Sequence, residues 1–336
     1  MKGVIDVKIK LADLERVVRK AILHYGYNQE ESEVIFEVLL YAQLRGNNQG
    51  IVKLVGEGIP KDPEAGEITI ERDNRLSSLI NGNKRHGMLV MKEAVNIVLN
   101  KVQNHGFGIV GTYNTHTSTG AIGYYAEKIA DNGFLGFVLA GSPPLVCPYG
   151  SYEQLFGTNP LAVGIPTNKS PLVFDMATSA ITYFGLIEAL TANRSIPNNV
   201  AYNNNGELTI DPMEALQGAV LPFDRSYKGS GLSLIIEILT GPLVGASFVG
   251  IGDATGNWGN LVIAIDPDLL TGREEFDANV TRIIDKVKSA KKLPGINDIY
   301  LPGERENQLV KMIIKNGEIE VEDNLYQELQ NVANIE

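Results

Sequence analysis

The chain has 336 residues and a formal net charge of −11, with 44% hydrophobic and 21% charged residues. This composition is typical of a globular protein, and the length suits two domains. The acidic balance argues against a nucleic-acid or anionic-membrane surface, although local cations could still hold a small anionic substrate. The single cysteine, Cys147, excludes an internal disulfide, and no signal-like or membrane-length apolar run is present, so a cytoplasmic protein is expected.

The predicted elements alternate between helices and strands, which is typical of a layered α/β domain. Helical spacing of apolar residues predicts helices near 11–24, 29–45, 88–102, 121–132, 180–192, 226–242, 274–290, 304–316 and 323–333. Asn28 and Glu31 have the spacing of a capping box at the start of the second helix. Apolar runs predict strands at 107–112, 135–140, 161–165, 172–174 and 261–267. The helix at 226–242 is apolar on nearly every face, so a core or a subunit interface must bury it.

The glycines Gly106, Gly108 and Gly111 spell the dinucleotide fingerprint G-x-G-x-x-G. The fingerprint requires a strand before the glycines and a helix after them. Here a helix precedes them and a strand runs through them. We therefore predict that they do not form a Rossmann nucleotide site.

Residues 156–180 join two predicted strands and end in the small polar run 175–179. Small residues beyond a buried strand let backbone N–H groups approach an anion, and the next helix can point its positive end at the same ligand. The segment therefore predicts a phosphate cradle. A strand–turn–strand followed by an ordinary capped helix fits the same residues.

The four histidines lack metal-ligand spacing, so no metal site is expected. His86 falls in a polar turn, whereas His116 lies in a polar loop after a predicted strand. Such a histidine can act as a proton donor, and a solvated surface histidine is the alternative. Lys53 and Lys228 lie in glycine-flanked polar stretches, where each could bind an anion or remain solvated.

Several stretches, found in order over almost the whole chain, carry a family resemblance. They are GAIGYYAEKIADNGFLG at 120–136, FGTNPLAVGIP at 156–166, FDMATS at 174–179, YKGSGLSLIIEIL at 227–239 and LPGE at 301–304. Together they resemble the malate/L-lactate dehydrogenase family of NAD(P)-dependent oxidoreductases, which lacks a Rossmann fold.

The resemblance implies a non-Rossmann layered α/β domain over 76–224 that binds NAD or NADP. It implies a helical scaffold from 1–75 and 225–336 that forms a homodimer. The cofactor would lie against the residues that match the family's cofactor stretches: Phe174, Asp175, Met176, Ala177, Thr178, Ser179, Ala180, Tyr227, Lys228, Gly303, Glu304 and Arg305.

The chain departs from the family where the acid–base residues are expected. Asn48 and Gln49 replace a Ser–His pair, Lys53 replaces an arginine that meets the substrate carboxylate, and Ser118 replaces a second histidine. Glutamine cannot act as a general acid near pH 7.

The expected function is hydride transfer between nicotinamide and a small 2-hydroxy or 2-oxo acid. Lys53 would bind the carboxylate, His116 would donate the proton, and Asn48, Gln49 and Ser118 would orient the substrate. One alternative is a cyclic imino acid reductase, because a protonated imine needs no protein acid. The other is a catalytically silent relative that binds a dinucleotide.

Overall fold

The computed structural model describes residues 6–56, 58–252 and 257–334. The α-helices are α1 (Leu11–His24), α2 (Gln29–Leu44), α3 (Gly87–His105), α4 (Gly123–Asp131), α5 (Tyr183–Thr191), α6 (Pro212–Gln217), α7 (Tyr227–Thr240), α8 (Arg273–Lys288), α9 (Glu304–Asn316) and α10 (Asp323–Asn334). The strands are β1 (Asp6–Lys10), β2 (Thr69–Asp73), β3 (Ser77–Asn81), β4 (Phe107–Thr115), β5 (Leu135–Ala140), β6 (Leu161–Ile165), β7 (Leu172–Met176), β8 (Ala201–Tyr202), β9 (Leu208–Thr209), β10 (Ala219–Val220), β11 (Trp258–Ile265) and β12 (Glu318–Glu322).

A seven-stranded sheet with the order β2-β3-β4-β11-β5-β6-β7 forms the centre of the fold. In this described sheet β3 and β4 are parallel, and the other neighbouring strands are antiparallel. A Rossmann domain requires a doubly wound parallel sheet. The predicted layered α/β, non-Rossmann fold class is therefore confirmed.

The glycines of the apparent fingerprint serve packing. Gly106 ends α3 with a φ of +74°, and β4 then runs through Gly108 and Gly111. A Cβ at Gly108 would lie 2.9 Å from the Lys101 Cβ, and one at Gly111 would lie 2.8 Å from a methyl carbon of Val244. These glycines let α3 and a neighbouring loop approach the sheet, as the order of the flanking elements predicts.

One apolar core joins the two ends of the chain to the central sheet. It contains Leu14 of α1, Met91 of α3, Val262 of β11 and Leu329 of α10, all fully buried. The predicted scaffold contributes to this core from both of its sequence segments. The domain boundaries themselves stay a prediction, and residues 1–5, 57, 253–256 and 335–336 of the predicted scaffold lie outside the described residues.

Helix α7 has its polar side facing inward and its apolar side facing outward. Ser233, Glu237 and Thr240 are buried, whereas Leu234 and Ile235 are 46% and 55% exposed. The single chain therefore leaves the apolar side of this helix uncovered, and its burial by a core or a subunit interface stays a prediction.

Several boundaries differ from the sequence prediction. The capping box of Asn28 and Glu31 forms at the start of α2. Strand β7 continues to Met176, so Asp175 and Met176 lie within the strand and not after it. Helix α5 begins at Tyr183, which leaves residues 177–182 as a connecting segment. Among the described helices, none has the length and apolar character needed to cross a bilayer.

Candidate active site

A cavity of about 530 Å³ lies between the loop that follows β4 and the start of α5. Its walls include Gln49, Thr117, Ser118, Thr119, Ser142, Gln154, Thr158, Thr182, Tyr183, Phe184 and Trp258. In the described part of the chain, no lysine, arginine, histidine or carboxylate lines this cavity. Its polar surface is therefore made of hydroxyl, amide and indole groups.

The 116–120 loop is held in place by the segment before α3. His116 N–H donates to the Arg85 carbonyl at 3.0 Å, and Gly87 N–H donates to the His116 carbonyl at 2.8 Å. A Cβ at Gly87 would lie 2.9 Å from the Ser118 carbonyl oxygen. Glycine is therefore required for the loop to lie this close to α3.

Lys53 lies directly behind Ser118. It is 1% exposed and belongs to the 3₁₀ turn Ile51–Leu54. Its Nζ donates to Ser118 Oγ at 2.8 Å and lies 3.3 Å from the centroid of the Phe184 ring. Burial lowers the pKa of Lys53 well below its usual value. The amine is thus next to the cavity but is covered by Ser118 and Phe184.

Asn48 and Gln49 form a second polar edge. Gln49 lines the cavity, and its Nε2 donates to Asn48 Oδ1 at 3.3 Å. Asn48 Oδ1 also accepts a hydrogen bond from Thr182 Oγ1 at 3.2 Å. Asn48 itself lines an adjacent cavity on the other side of this pair. The two residues therefore connect the end of α2 to the start of α5.

The two neighbouring histidines have different environments. His116 is partly exposed, and its Nδ1 lies 3.8 Å from Asp62 Oδ2. His86 is buried and caps α3, because its Nδ1 accepts from Met88 N–H at 3.2 Å. Burial, together with the nearby charges of Lys53 and His116, lowers the pKa of His86 to about 3. His86 follows the polar turn at 83–84 and is itself buried. His116 lies next to the cavity wall but outside the described lining.

The central residues of the predicted cofactor segment, 174–180, are fixed by hydrogen bonds. Thr178 is fully buried; its N–H donates to the Thr158 carbonyl at 2.9 Å and its Oγ1 donates to the Asn159 carbonyl at 3.0 Å. Ser233 Oγ of α7 donates to Thr178 Oγ1 at 2.9 Å. Phe223 N–H donates to the Thr178 carbonyl at 2.8 Å. The segment is thereby attached both to the cavity wall at Thr158 and to α7.

Other residues of the 174–180 segment present groups outward. Phe174 is 43% exposed at the edge of the sheet. Asp175 accepts from Gly123 N–H at 2.8 Å, and a Cβ at Gly123 would collide with that carboxylate. Met176, Ala177 and Ala180 are half-buried, and Ala180 N–H donates to the Leu221 carbonyl.

The 303–305 stretch meets the same edge of the sheet. Gly303 has a φ of +79°, and a Cβ there would lie 3.2 Å from the Val173 carbonyl oxygen. Glu304 pairs with Lys288 at 2.8 Å, which lowers the pKa of Glu304, and Arg305 stacks over the Tyr300 ring at 4.4 Å. Two predicted cofactor stretches are therefore adjacent across β7.

The third stretch, at the start of α7, is less tightly held. Tyr227 is 67% exposed and contacts the ring of Tyr149, with the centroids 6.5 Å apart. Lys228 is exposed, and Ser226 Oγ caps its N–H at 3.1 Å. The helix start is thus close to the 174–180 segment through Phe223 and Ser233, while the Lys228 side chain extends into solvent.

Two buried polar atoms have no hydrogen-bond partner among the described residues and lie close to these stretches. Ser179 is 7% exposed, and its Oγ is unpaired. Trp258 Nε1, beside the cavity, is also unpaired. Buried polar groups are normally satisfied, so both atoms fit a site that takes a polar ligand. Sequence reasoning missed Trp258 and Phe184; the signal available for Trp258 was that it is the chain's only tryptophan.

The small polar cavity lies beside the antiparallel sheet edge that carries the 174–180 segment, an arrangement that suits an oxidoreductase of the non-Rossmann type. A sequence profile of the malate/L-lactate dehydrogenase family matches residues 9–330. The chain belongs to this family, as the resemblance predicts. The family's members are NAD(P)-dependent dehydrogenases and reductases that act on 2-hydroxy acids and related compounds, and the chain is an oxidoreductase of this kind.

Named relatives match along nearly their whole length. L-Sulfolactate dehydrogenase of Methanothermobacter thermautotrophicus is 35% identical, with 95% of this chain and 94% of the relative covered. Ureidoglycolate dehydrogenase (NAD⁺) of Escherichia coli K12 is 30% identical, with 96% and 95% covered. The solved structure of sulfolactate dehydrogenase from Methanocaldococcus jannaschii superposes with a TM-score of 0.81 at 29% identity, covering 98% and 97% of the two chains.

Proposed function

We propose that this chain interconverts a small 2-oxo acid and its 2-hydroxy acid in the cavity between the 116–120 loop and the start of α5. One observation carries the proposal: Ser118 and Gln49 form one wall of the cavity, and Thr158, which holds the 174–180 segment, forms another. Predicted substrate residues thus line the cavity, and the predicted cofactor segment is attached to the cavity through Thr158. The absence of charged lining groups in the described residues suits a small polar substrate.

NAD or NADP fits against the 174–180 segment. The unpaired Ser179 hydroxyl and the close backbone approach at Gly303 provide polar contact and room at the sheet edge. Tyr227, Lys228, Glu304 and Arg305 surround the same region and would contact the cofactor. When bound, the reduced nicotinamide supplies the hydride.

The charge of Lys53 supports binding of the substrate carboxylate. In the described residues no carboxylate pairs with it, and burial reduces screening by solvent. Asn48 and Gln49 would orient the substrate by hydrogen bonds. His116, beside Asp62, is the proton donor that the sequence predicts; it lies outside the described lining, and Ser118, which lines the cavity, is the alternative donor.

Fluorescence titration with NADH and with NADPH tests the cofactor part of the proposal. We expect saturable binding of at least one of them, followed by oxidation of that nucleotide when 2-oxo acids are added. Ser179→Ala should weaken binding about two- to tenfold without changing stability, because its hydroxyl has no partner to lose within the described protein. Ser170→Ala, in an exposed turn, is the matched control. Failure of the wild type to bind either nucleotide would remove the proposal.

Cyclic imino acid reduction is the second candidate. The observation that favours it is the lining of the cavity, which contains no lysine, histidine or carboxylate among the described residues. An imine that arrives protonated needs no acid from the protein. Comparing kcat/KM for a cyclic imino acid and for 2-oxo acids of similar size decides between the two substrates.

A homodimer is the assembly that we propose. Leu234, Ile235 and Ile238 form an apolar outer face on α7, and each is about half exposed in the single chain. A second copy would cover this face, which is larger than scattered surface residues usually form. Sedimentation of the wild type and of Ile235→Lys tests the proposal, with Leu208→Lys, exposed on another element, as control. A monomeric wild type at micromolar concentration would contradict it.

The predicted domain division and location are also retained as proposals. Limited proteolysis should cut near residues 76 and 225 first if 76–224 is a separate domain.

Cys147 is free and buried, with its thiol donating to the Val220 carbonyl, which fits a reducing cytoplasm. Cell fractionation tests the location.

A further inference from the structure

The hydrogen bonds of Ser118 leave its own proton directed away from the protein. A serine hydroxyl has two lone pairs and one donated hydrogen. Ser118 Oγ accepts from Lys53 Nζ at 2.8 Å and from Gly120 N–H at 3.1 Å. Both lone pairs are therefore engaged, and no described residue accepts its O–H. Because Ser118 lines the cavity, that O–H is available to a bound substrate.

Lys53 is placed to supply this hydroxyl with a proton. Its ammonium group contacts Ser118 and the Phe184 ring, both of which line the cavity, and Lys53 itself is not among the described lining residues. In the described parts of the helices that pack on its turn (α1, α2, α5 and α10), no carboxylate lies within 4 Å of Nζ. The titratable groups that face its turn are His86 at the start of α3, on which the charge of Lys53 acts, and Tyr25, whose hydroxyl donates to the Leu54 carbonyl.

We propose that Ser118 is the catalytic proton donor to the substrate oxygen and that Lys53 is the positioning residue that returns a proton to Ser118. This inference rests on the proposed function and names the acid that the family histidines would otherwise supply. In reduction, the substrate carbonyl oxygen takes the Ser118 proton, and the Ser118 oxygen takes a proton from the Lys53 ammonium. The carbonyl carbon gains the hydride of the established reaction. The products are the 2-hydroxy acid, the oxidised nucleotide and a neutral Lys53, which regains its proton from solvent.

The surroundings of Lys53 favour this role over a direct carboxylate clamp. Burial lowers the pKa of its amine well below the usual value, which makes the ammonium group a stronger acid than an exposed lysine. Arginine would keep a charge at the same place but would not release its proton. The exchange of arginine for lysine therefore matters for chemistry and not only for geometry.

The test compares kcat and its pH dependence in four variants. Ser118→Ala and Lys53→Met should each lower kcat for 2-oxo acid reduction by about 10²–10⁴-fold, with a smaller change in KM. Lys53→Arg should remain as slow as Lys53→Met. Ser118→Thr, which keeps the hydroxyl, should recover most of the rate. In the wild type, kcat should fall as the pH rises through the pKa of Lys53, and this limb should be absent in Ser118→Ala.

Other outcomes would overturn the inference. A Lys53→Arg variant close to wild type would make Lys53 a charge for the carboxylate. A His116→Gln variant that loses kcat while Ser118→Ala retains it would make His116 the donor. Lys169→Met, at an exposed turn, controls for the loss of a lysine.

A second readout does not depend on activity. In ¹⁵N-lysine-labelled wild-type protein, the Lys53 Nζ resonance, assigned by its loss in Lys53→Met, should titrate well below the other lysines. A resonance that titrates with the exposed lysines would contradict the relay. If the wild type binds no nucleotide or reduces no 2-oxo acid, the proposed function fails; if it does both and the Ser118 and Lys53 variants match it, only the relay fails.

Discussion

The two sides of the cavity are built on opposite principles. Around Thr178 the 174–180 segment is held by neutral hydrogen bonds, and this buried residue has a partner for each of its polar groups. On the other side, Lys53 and His86 are buried ionisable residues with no carboxylate partner among the described residues. Hydrogen bonds hold the backbone of the first side in place. The second side contains buried ionisable groups, and burying such groups costs stability.

The stability contributed by the two sides should therefore depend differently on pH. Neutral hydrogen bonds are insensitive to pH between 3 and 10, whereas a buried base changes stability when the unfolded chain can take up a proton. Substitutions at Thr178 should therefore change stability at every pH, whereas Asp175 of the same segment, whose pKa burial raises to about 6, is itself sensitive to pH. Substitutions beside Lys53 should change the shape of a pH profile.

The largest expected effect is the acid sensitivity that His86 confers. Its pKa is about 3 in the folded protein and near 6.5 when unfolded. Between these values the unfolded chain binds the extra proton, so stability is lost as the pH falls from 6.5 to 3, by about 1.4 kcal/mol per pH unit. His86→Asn, which can still cap α3, should remove this slope when urea unfolding is measured between pH 7 and pH 4.

His24→Asn serves as the control for that measurement, because His24 is an exposed residue at the end of α1. It should leave the slope unchanged. Equal slopes in the wild type and in His86→Asn would mean that His86 is not a buried neutral base.

A smaller and pH-independent effect is expected from Thr178→Val on the opposite side. The substitution keeps the shape of the side chain and leaves the Asn159 carbonyl without the Thr178 hydroxyl, while Ser233 Oγ keeps its hydrogen bond to the Gly229 carbonyl. Such an unsatisfied group costs about 1–3 kcal/mol in the free energy of unfolding. Thr69→Val, at an exposed edge strand, should cost much less. If the loss of unfolding free energy in Thr178→Val varied with pH, the Thr178 side would also depend on a titrating group.

The smallest change is expected from alanine at Gly303, where nucleotide affinity and stability can be measured separately. Gly303 and Gly317 both have positive φ, +79° and +66°, and alanine at either should cost about 1–2 kcal/mol of stability. A Cβ at Gly303 would press on the Val173 carbonyl oxygen, whereas one at Gly317 would contact nothing within 4 Å. Gly303→Ala should therefore weaken NAD(P)H binding, and Gly317→Ala should not. Equal nucleotide affinities in the two variants would separate the 303–305 stretch from the cofactor site.

The sequence predicted those features that are set by local pattern or by motif. The capping box at Asn28, the limits of α1 and β5, and the rejection of the glycine fingerprint depended on neighbouring residues alone. The family and its cofactor class were carried by the motifs at 156–179 and 227–239. Such patterns and motifs lie in short segments, so they can be recognised in one sequence without an alignment.

Features set by tertiary contact were not predictable. Strands β1 and β12 alternate charged with apolar residues and are stable because they pair with each other across the whole chain. His86 follows a polar turn and Lys53 lies between apolar neighbours in the sequence, and the packing of distant segments buries both. The sequence shows that α7 is rich in apolar residues but not which face turns outward. That orientation depends on buried Glu237, which accepts from the Asn159 amide and from Val249 N–H.

The position of β11 sets an order of events during synthesis. It pairs with β4 on one side and β5 on the other, yet it is made long after both. At about 5–20 residues per second, β4 and β5 wait on the order of ten seconds with unpaired edges that their final neighbour will cover. The nascent chain is therefore exposed to aggregation in this interval, and slower initiation or lower growth temperature should raise the yield of folded protein.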